Sequence, residues 1–90
     1  MPIIKQTCDG KTRTYFISTT PVDFGVSVIN TGSCPFKVIV VRAEEDDIVL
    51  EVSPGEEKEI INTTSLIEVQ IKCLKCDCGT CCEGLIFVGF

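Results

Sequence analysis

Apolar and polar residues alternate at period two along most of the chain, and no window sustains the i, i+3, i+4, i+7 spacing of an amphipathic helix. The pattern predicts an all-β domain. Thr12 to Thr20 is rich in β-branched and aromatic residues, while Phe24, Val26 and Val28 alternate with Gly25, Ser27 and Ile29. Phe36 to Val41 is a nearly continuous apolar run, which suits a strand covered on both faces. Further strands are expected at Ile48 to Val52, Glu57 to Ile61, Leu66 to Cys73 and Leu85 to Phe90. In the segment Leu66 to Cys73, period two puts Ile67, Val69 and Ile71 on one face, and Cys73 continues that face towards the core.

Turn signals separate these runs: Asp9-Gly10, Asn30-Thr31-Gly32-Ser33, the acids Glu44 to Asp47, Ser53-Pro54-Gly55, Asn62-Thr63-Thr64-Ser65 and Asp77-Cys78-Gly79. Pro54-Gly55 predicts a type II turn, because proline presets φ at the second position and glycine accepts positive φ at the third. Turns spaced by roughly 8 to 15 residues suit a small β-sandwich or jelly roll of seven or eight strands. Residues 1–10 are expected to form an N-terminal connector, and residues 11–90 one core domain that includes the cysteine-rich segment 73–82.

Composition narrows the function classes. A 90-residue chain makes one small domain with a thin core, the kind that depends on disulfides, metal or oligomerisation. An apolar fraction of 44% argues against disorder. The net charge is -5, with acids gathered at Glu44 to Asp47 and Glu56 to Glu59, so no basic patch stands ready to neutralise phosphates and nucleic acid is not an expected partner. Nor is a membrane, since no stretch approaches the roughly 20 apolar residues of a span. The acidic tetrad reads as a solvated turn, because it lacks the central glycine and spaced closing glutamate of an EF-hand loop. The start, Met1 to Cys8, lacks the apolar core of a secretory signal, so synthesis in the cytoplasm without Sec export is expected.

Cysteine carries the candidate chemistry. The chain has seven cysteines and no histidine, which excludes any histidine-dependent triad, and no helix is expected that could activate a CxxC thiol. Catalysis is therefore not expected. Five cysteines lie in the run Cys73-Leu74-Lys75-Cys76-Asp77-Cys78-Gly79-Thr80-Cys81-Cys82. Cys73, Cys76, Cys78 and Cys81 have paired CxxC spacing, so a zinc-binding module is the alternative reading; against it, only Asp77 separates pairs that normally stand about a dozen residues apart. Cys73, Cys78 and Cys81 match three ligands of a plant-type iron-sulfur spacing, but no fourth follows downstream. No cofactor is expected.

Disulfides remain, and an odd count leaves at least one thiol free or bonded to another chain. Cys81 and Cys82 point to opposite faces if extended, which suits two different partners. Cys34 and Cys73 are the candidates for a bond within the domain. Cys8, far in sequence from the cluster, suits either an intrachain staple or a bond to a neighbouring subunit.

The order of several segments resembles the subunits of bacterial endospore appendages (Ena), the pilus-like fibres on spores of the Bacillus cereus group. The segments are Val28-Ile29-Asn30-Thr31-Gly32-Ser33-Cys34-Pro35, then Ser53-Pro54-Gly55-Glu56, then Asn62-Thr63-Thr64-Ser65-Leu66-Ile67-Glu68-Val69, and the terminal strand near Gly84 to Phe90. The resemblance implies a jelly-roll subunit that self-assembles by sheet augmentation, with a connector cysteine, here Cys8, bonding to subunits of the next layer. It further implies that a neighbour's Cys8 selects among Cys76, Cys78, Cys81 and Cys82. One connector cysteine in place of an adjacent pair, with a rich C-terminal cluster, fits the ladder-like branch of stacked rings better than the helical branch, and leaves room for an accessory or anchoring subunit. The implied partners are copies of the chain itself and other spore-surface proteins, and the implied location is the spore surface or exosporium. Pairing edges are expected at the strand after Asp9-Gly10 and at Leu85 to Phe90.

Overall fold

In chain order the strands are β1 (Ile3–Thr7), β2 (Thr12–Asn30), β3 (Phe36–Arg42), β4 (Ile48–Val52), β5 (Glu57–Cys73) and β6 (Cys81–Val88). The structure is a computed structural model that describes residues 3–7, 10–74 and 81–89, with 6, 7, 61–64 and 81 described by backbone alone. All six strands join one antiparallel sheet in the order β1-β6-β2-β5-β3-β4.

That sheet cannot be flat. A straight β2 of 19 residues would run roughly 60 Å at about 3.3 Å per residue, whereas the longest dimension of the molecule is 38 Å. β2 bends where its register with β5 shifts, between Ile17 and Val26, a stretch that contains Pro21 and Gly25. The facing part of β5 bends at Ser65, which takes a left-handed φ of 58°. Its N–H donates to Asp23 Oδ1 at 3.2 Å and its carbonyl accepts from Ala43 N at 2.8 Å, so the bend keeps its polar groups satisfied.

The double bend folds the sheet over on itself. One layer holds β4, β3, residues 66–73 of β5 and residues 12–17 of β2; the other holds residues 57–63 of β5, residues 26–30 of β2, β6 and β1. The result is an all-β sandwich with eight strand segments, although only six strands are continuous. The sequence reads Asn62 to Ser65 as a turn between strands. It is a bend within β5 instead, because β2 lies across the ladder from it and the two strands turn together.

Alternation then builds the core. Phe36, Val38 and Val40 of β3, Val52 of β4 and Leu66, Val69 and Ile71 of β5 face Val26, Val28, Ile86 and Ile4 of the other layer, all at most 2% exposed. Burying each such side chain contributes about 1.5 to 3 kcal/mol. Phe16 and Phe24 meet edge to face at 6.1 Å between centroids beside the bend. β3 is fully covered on one face only: Lys37, Ile39 and Val41 stand on the outer side, half-buried. This corrects the expectation of a strand covered on both faces, since paired edges do not cover the outer surface of a layer.

Two turns match their chemistry. Gly55 has φ 83° and Glu56 N donates to Ser53 O at 3.0 Å, as a type II turn over Pro54-Gly55 requires. The Ser53 N–H also donates to Glu56 Oε1 at 2.8 Å, and these contacts hold the exposed Glu56 carboxyl below its ordinary pKa. The acidic tetrad is exposed in the β3–β4 connection, where Arg42 pairs with Glu45 and donates to the Asp46 carbonyl at 2.7 and 2.9 Å.

Within the expected connector, Ile3 to Thr7 form β1, in register with Leu85 to Cys81 of β6, and Ile4 is 0% exposed. The β-branched pair Ile3-Ile4 and the flank of β6 favour this strand.

Candidate functional site

Cys73 closes β5 in one layer and Cys82 stands near the start of β6 in the other, and a disulfide joins them across the core. Both are 0% exposed. This bond takes up Cys82, one of the thiols that the resemblance offers to a neighbour's Cys8. The reason is strand parity: β6 begins at Cys81, so Cys82, Gly84 and Ile86 share the inward face while Glu83 and Phe87 are exposed. Extending the alternation of Ile86 back through Gly84 would have revealed this from sequence. A four-thiolate zinc site that includes Cys73 lacks one ligand for as long as the disulfide stands.

Cys34 is also fully buried and disulfide-bonded. Cys8, Cys76 and Cys78 lie outside the described residues, and Cys81 is described by backbone alone as the first residue of β6. Because the chain has seven cysteines, pairing within one copy always leaves an odd sulfur.

Asn30 fixes the turn that carries Cys34. It is 1% exposed, and its Nδ2 donates to the carbonyls of Cys34 at 2.9 Å and Val52 at 3.0 Å while its Oδ1 accepts from Gly32 N at 3.0 Å. Its backbone N–H donates to Glu56 O and its carbonyl accepts from Gly55 N. One buried amide thus ties the β2–β3 turn to the β4–β5 turn. From sequence, Asn30 reads only as a turn residue, since its burial depends on strands distant along the chain. Asn30→Ala removes the side-chain donor to the Cys34 and Val52 carbonyls, while Gly32 N keeps Glu83 O at 3.2 Å, and is expected to lower stability by about 2 kcal/mol. A urea midpoint within experimental error of the parent would contradict that role.

The second element of the site is the set of open strand edges. Among the described residues, β1, β4, residues 12–17 of β2 and residues 57–63 of β5 each pair on one side only. The strand after Asp9-Gly10 is therefore an edge, as the sequence reading has it. The terminal segment is an edge in part: Leu85 lies between Ile3 of β1 and Ile29 of β2, whereas Ile86 to Val88 have an open flank among the described residues. The exposed large apolar side chains are Ile3 at 69%, Ile17 at 73%, Val49 at 53% and Phe87 at 38%. They stand on β1, the first half of β2, β4 and the open stretch of β6. Isolated exposed apolar residues are common on protein surfaces, but here all of them sit beside unpaired backbone, where another strand could cover them.

Comparison with known proteins returns no matching family model, no matching curated protein and no matching solved structure.

Proposed function

We propose that the protein is a structural subunit of a spore-surface appendage. Copies join through their open strand edges into rings, and the rings stack through intersubunit disulfides that engage Cys8 of one copy and Cys76, Cys78 or Cys81 of another. The observation that supports this reading most is the placement of Ile3, Ile17, Val49 and Phe87, each on a strand with an open side. Strand addition would pair the backbone and shield those side chains together. The odd cysteine count supplies the covalent part. The segment order shared with endospore appendage subunits supplies the biological setting, with copies of the chain as the main partner and other spore-surface proteins as anchoring partners.

A ring requires a heterologous contact, in which one edge meets a different edge of the next copy. Disulfides between rings would make the assembly persist kinetically rather than by concentration. The proposal is tested by purifying the chain without reductant: disulfide-linked multimers are expected, and Cys8→Ser should shorten or abolish the stacked assemblies while the domain stays folded. Stacks unaffected by Cys8→Ser would remove Cys8 from the joint.

A further inference from the structure

The two open edges of one layer carry opposite charge. Residues 10–20, on and beside the edge of β2 that is open among the described residues, include Lys11 and Arg13, against one carboxylate at that edge, Glu68 of β5, which accepts from Thr14 Oγ1 at 2.6 Å. Residues 44–52, on and beside the free edge of β4, include Glu44, Glu45, Asp46, Asp47 and Glu51 and no cation. Arg42 pairs with Glu45, which leaves an acidic excess. Charges on edge strands commonly keep copies apart, and two edges of the same sign would do so here. Opposite signs act the other way.

Three further features agree. β4 runs antiparallel to β3, β3 to β5 and β5 to β2, so β2 and β4 point in opposite directions at the two ends of the layer. A neighbouring copy brought alongside without inversion would continue the antiparallel alternation. Ile17 and Val49 both belong to the outer face of this layer: Ile17 lies opposite Glu68, which lies opposite Val41, and Val49 lies opposite Ile39, which lies opposite Gln70. Pairing the edges would bring these two exposed side chains onto one continuous surface. The other layer offers less, since β1 contributes Lys5 alone against Glu57, Lys58 and Glu59 of β5.

We infer that copies of this chain join head to tail in this layer, the basic edge of β2 (residues 12–17) in one copy pairing antiparallel with the acidic edge of β4 in the next. The inference rests on the self-assembly reading above and specifies which edges meet. It also makes the contact salt-sensitive, because these are exposed charges.

A charge-swap experiment on the oxidised full-length chain tests it by sedimentation velocity at low salt. One variant carries Lys11→Glu with Arg13→Glu, the other Asp46→Lys, Asp47→Lys and Glu51→Lys, which turns the β4 edge from acidic to basic. Each alone should need at least about tenfold more protein to assemble, because every contact then opposes like charges. Mixed in equal amounts they should assemble again, since each altered edge meets a complementary one and copies alternate. Assembly of the single variants at the wild-type concentration, or a mixture that stays dissociated while both variants show β-sheet circular dichroism, would overturn the edge assignment and leave self-assembly intact. A wild-type chain that stays monomeric at every concentration would overturn self-assembly itself. If a swapped variant misfolds, a salt titration of the wild type decides: weakening on going from about 20 to 300 mM salt supports the contact, and no change or strengthening refutes it.

Discussion

Gly84→Val should leave no folded domain, and Gly84→Ala should cost about 3 kcal/mol, the upper end of the usual range for overpacking. Gly84 stands in β6 between Ile4 of β1 and Asn30 of β2, on the inward face. A Cβ at this position would lie 2.2 Å from the carbonyl oxygen of Ile29 and 3.4 Å from the ring of Phe36. The first contact is with backbone, so no side-chain rotation relieves it. Only separation of β6 from β2 would, and that breaks the ladder between Asn30 and Gly84 and carries Cys82 away from its partner. Small domains hold only about 5 kcal/mol of net stability at the low end, so the alanine variant should be marginal and the valine variant unfolded. Gly55→Ala is the control: nothing lies within 4 Å of its Cβ, and only its φ of 83° opposes the change. That variant should lose about 1 to 2 kcal/mol. Urea unfolding followed by circular dichroism distinguishes the cases, and equal losses at both glycines would contradict the close approach of β6 to β2.

Removing the core disulfide is the second large effect. Cys73 and Cys82 are nine residues apart, and closing a loop of about that length restricts the unfolded chain by roughly 2.5 to 3 kcal/mol in the chain-entropy account. Cys73→Ala with Cys82→Ala should therefore lower the melting temperature by about 10 to 20 °C, given about 4 to 8 °C per kcal/mol for a domain of this size. The bond also joins β5 of one layer to β6 of the other. Hydrogen exchange should accelerate first in β6 and β1, which have no other covalent tie among the described residues. A double variant that melts with the parent would show that packing alone holds the layers.

Period-two alternation made the strand content legible, and proline followed by glycine at 54 and 55 gave a turn type that geometry matches. Where the reading departed from the fold, the missing information was pairing. The turn signal at Asn62 to Ser65 looks like a chain reversal in isolation, and becomes a bend only because β2 and β5 lie against each other there. Which of Cys81 and Cys82 faces the core stays open while β6 is started at Leu85. The core position of Cys82 follows once the strand is extended to Cys81. Asn30 could not be recognised as a buried node, because its acceptor Val52 comes from a strand 22 residues further on. The open edges of β4 and β5 were equally hidden, since an edge is defined by the strand that is not beside it.

Self-assembly through disulfides is tested most directly by electrophoresis of the purified chain with its free thiols alkylated, run with and without reductant. The proposed function predicts a ladder of multimers without reductant that collapses to one band of 9.8 kDa with it, and a Cys8→Ser lane in which the ladder is shortened or lost. A single monomer band without reductant, together with release of about one zinc per chain to a chelator, would contradict the fibre and favour a metal-binding module.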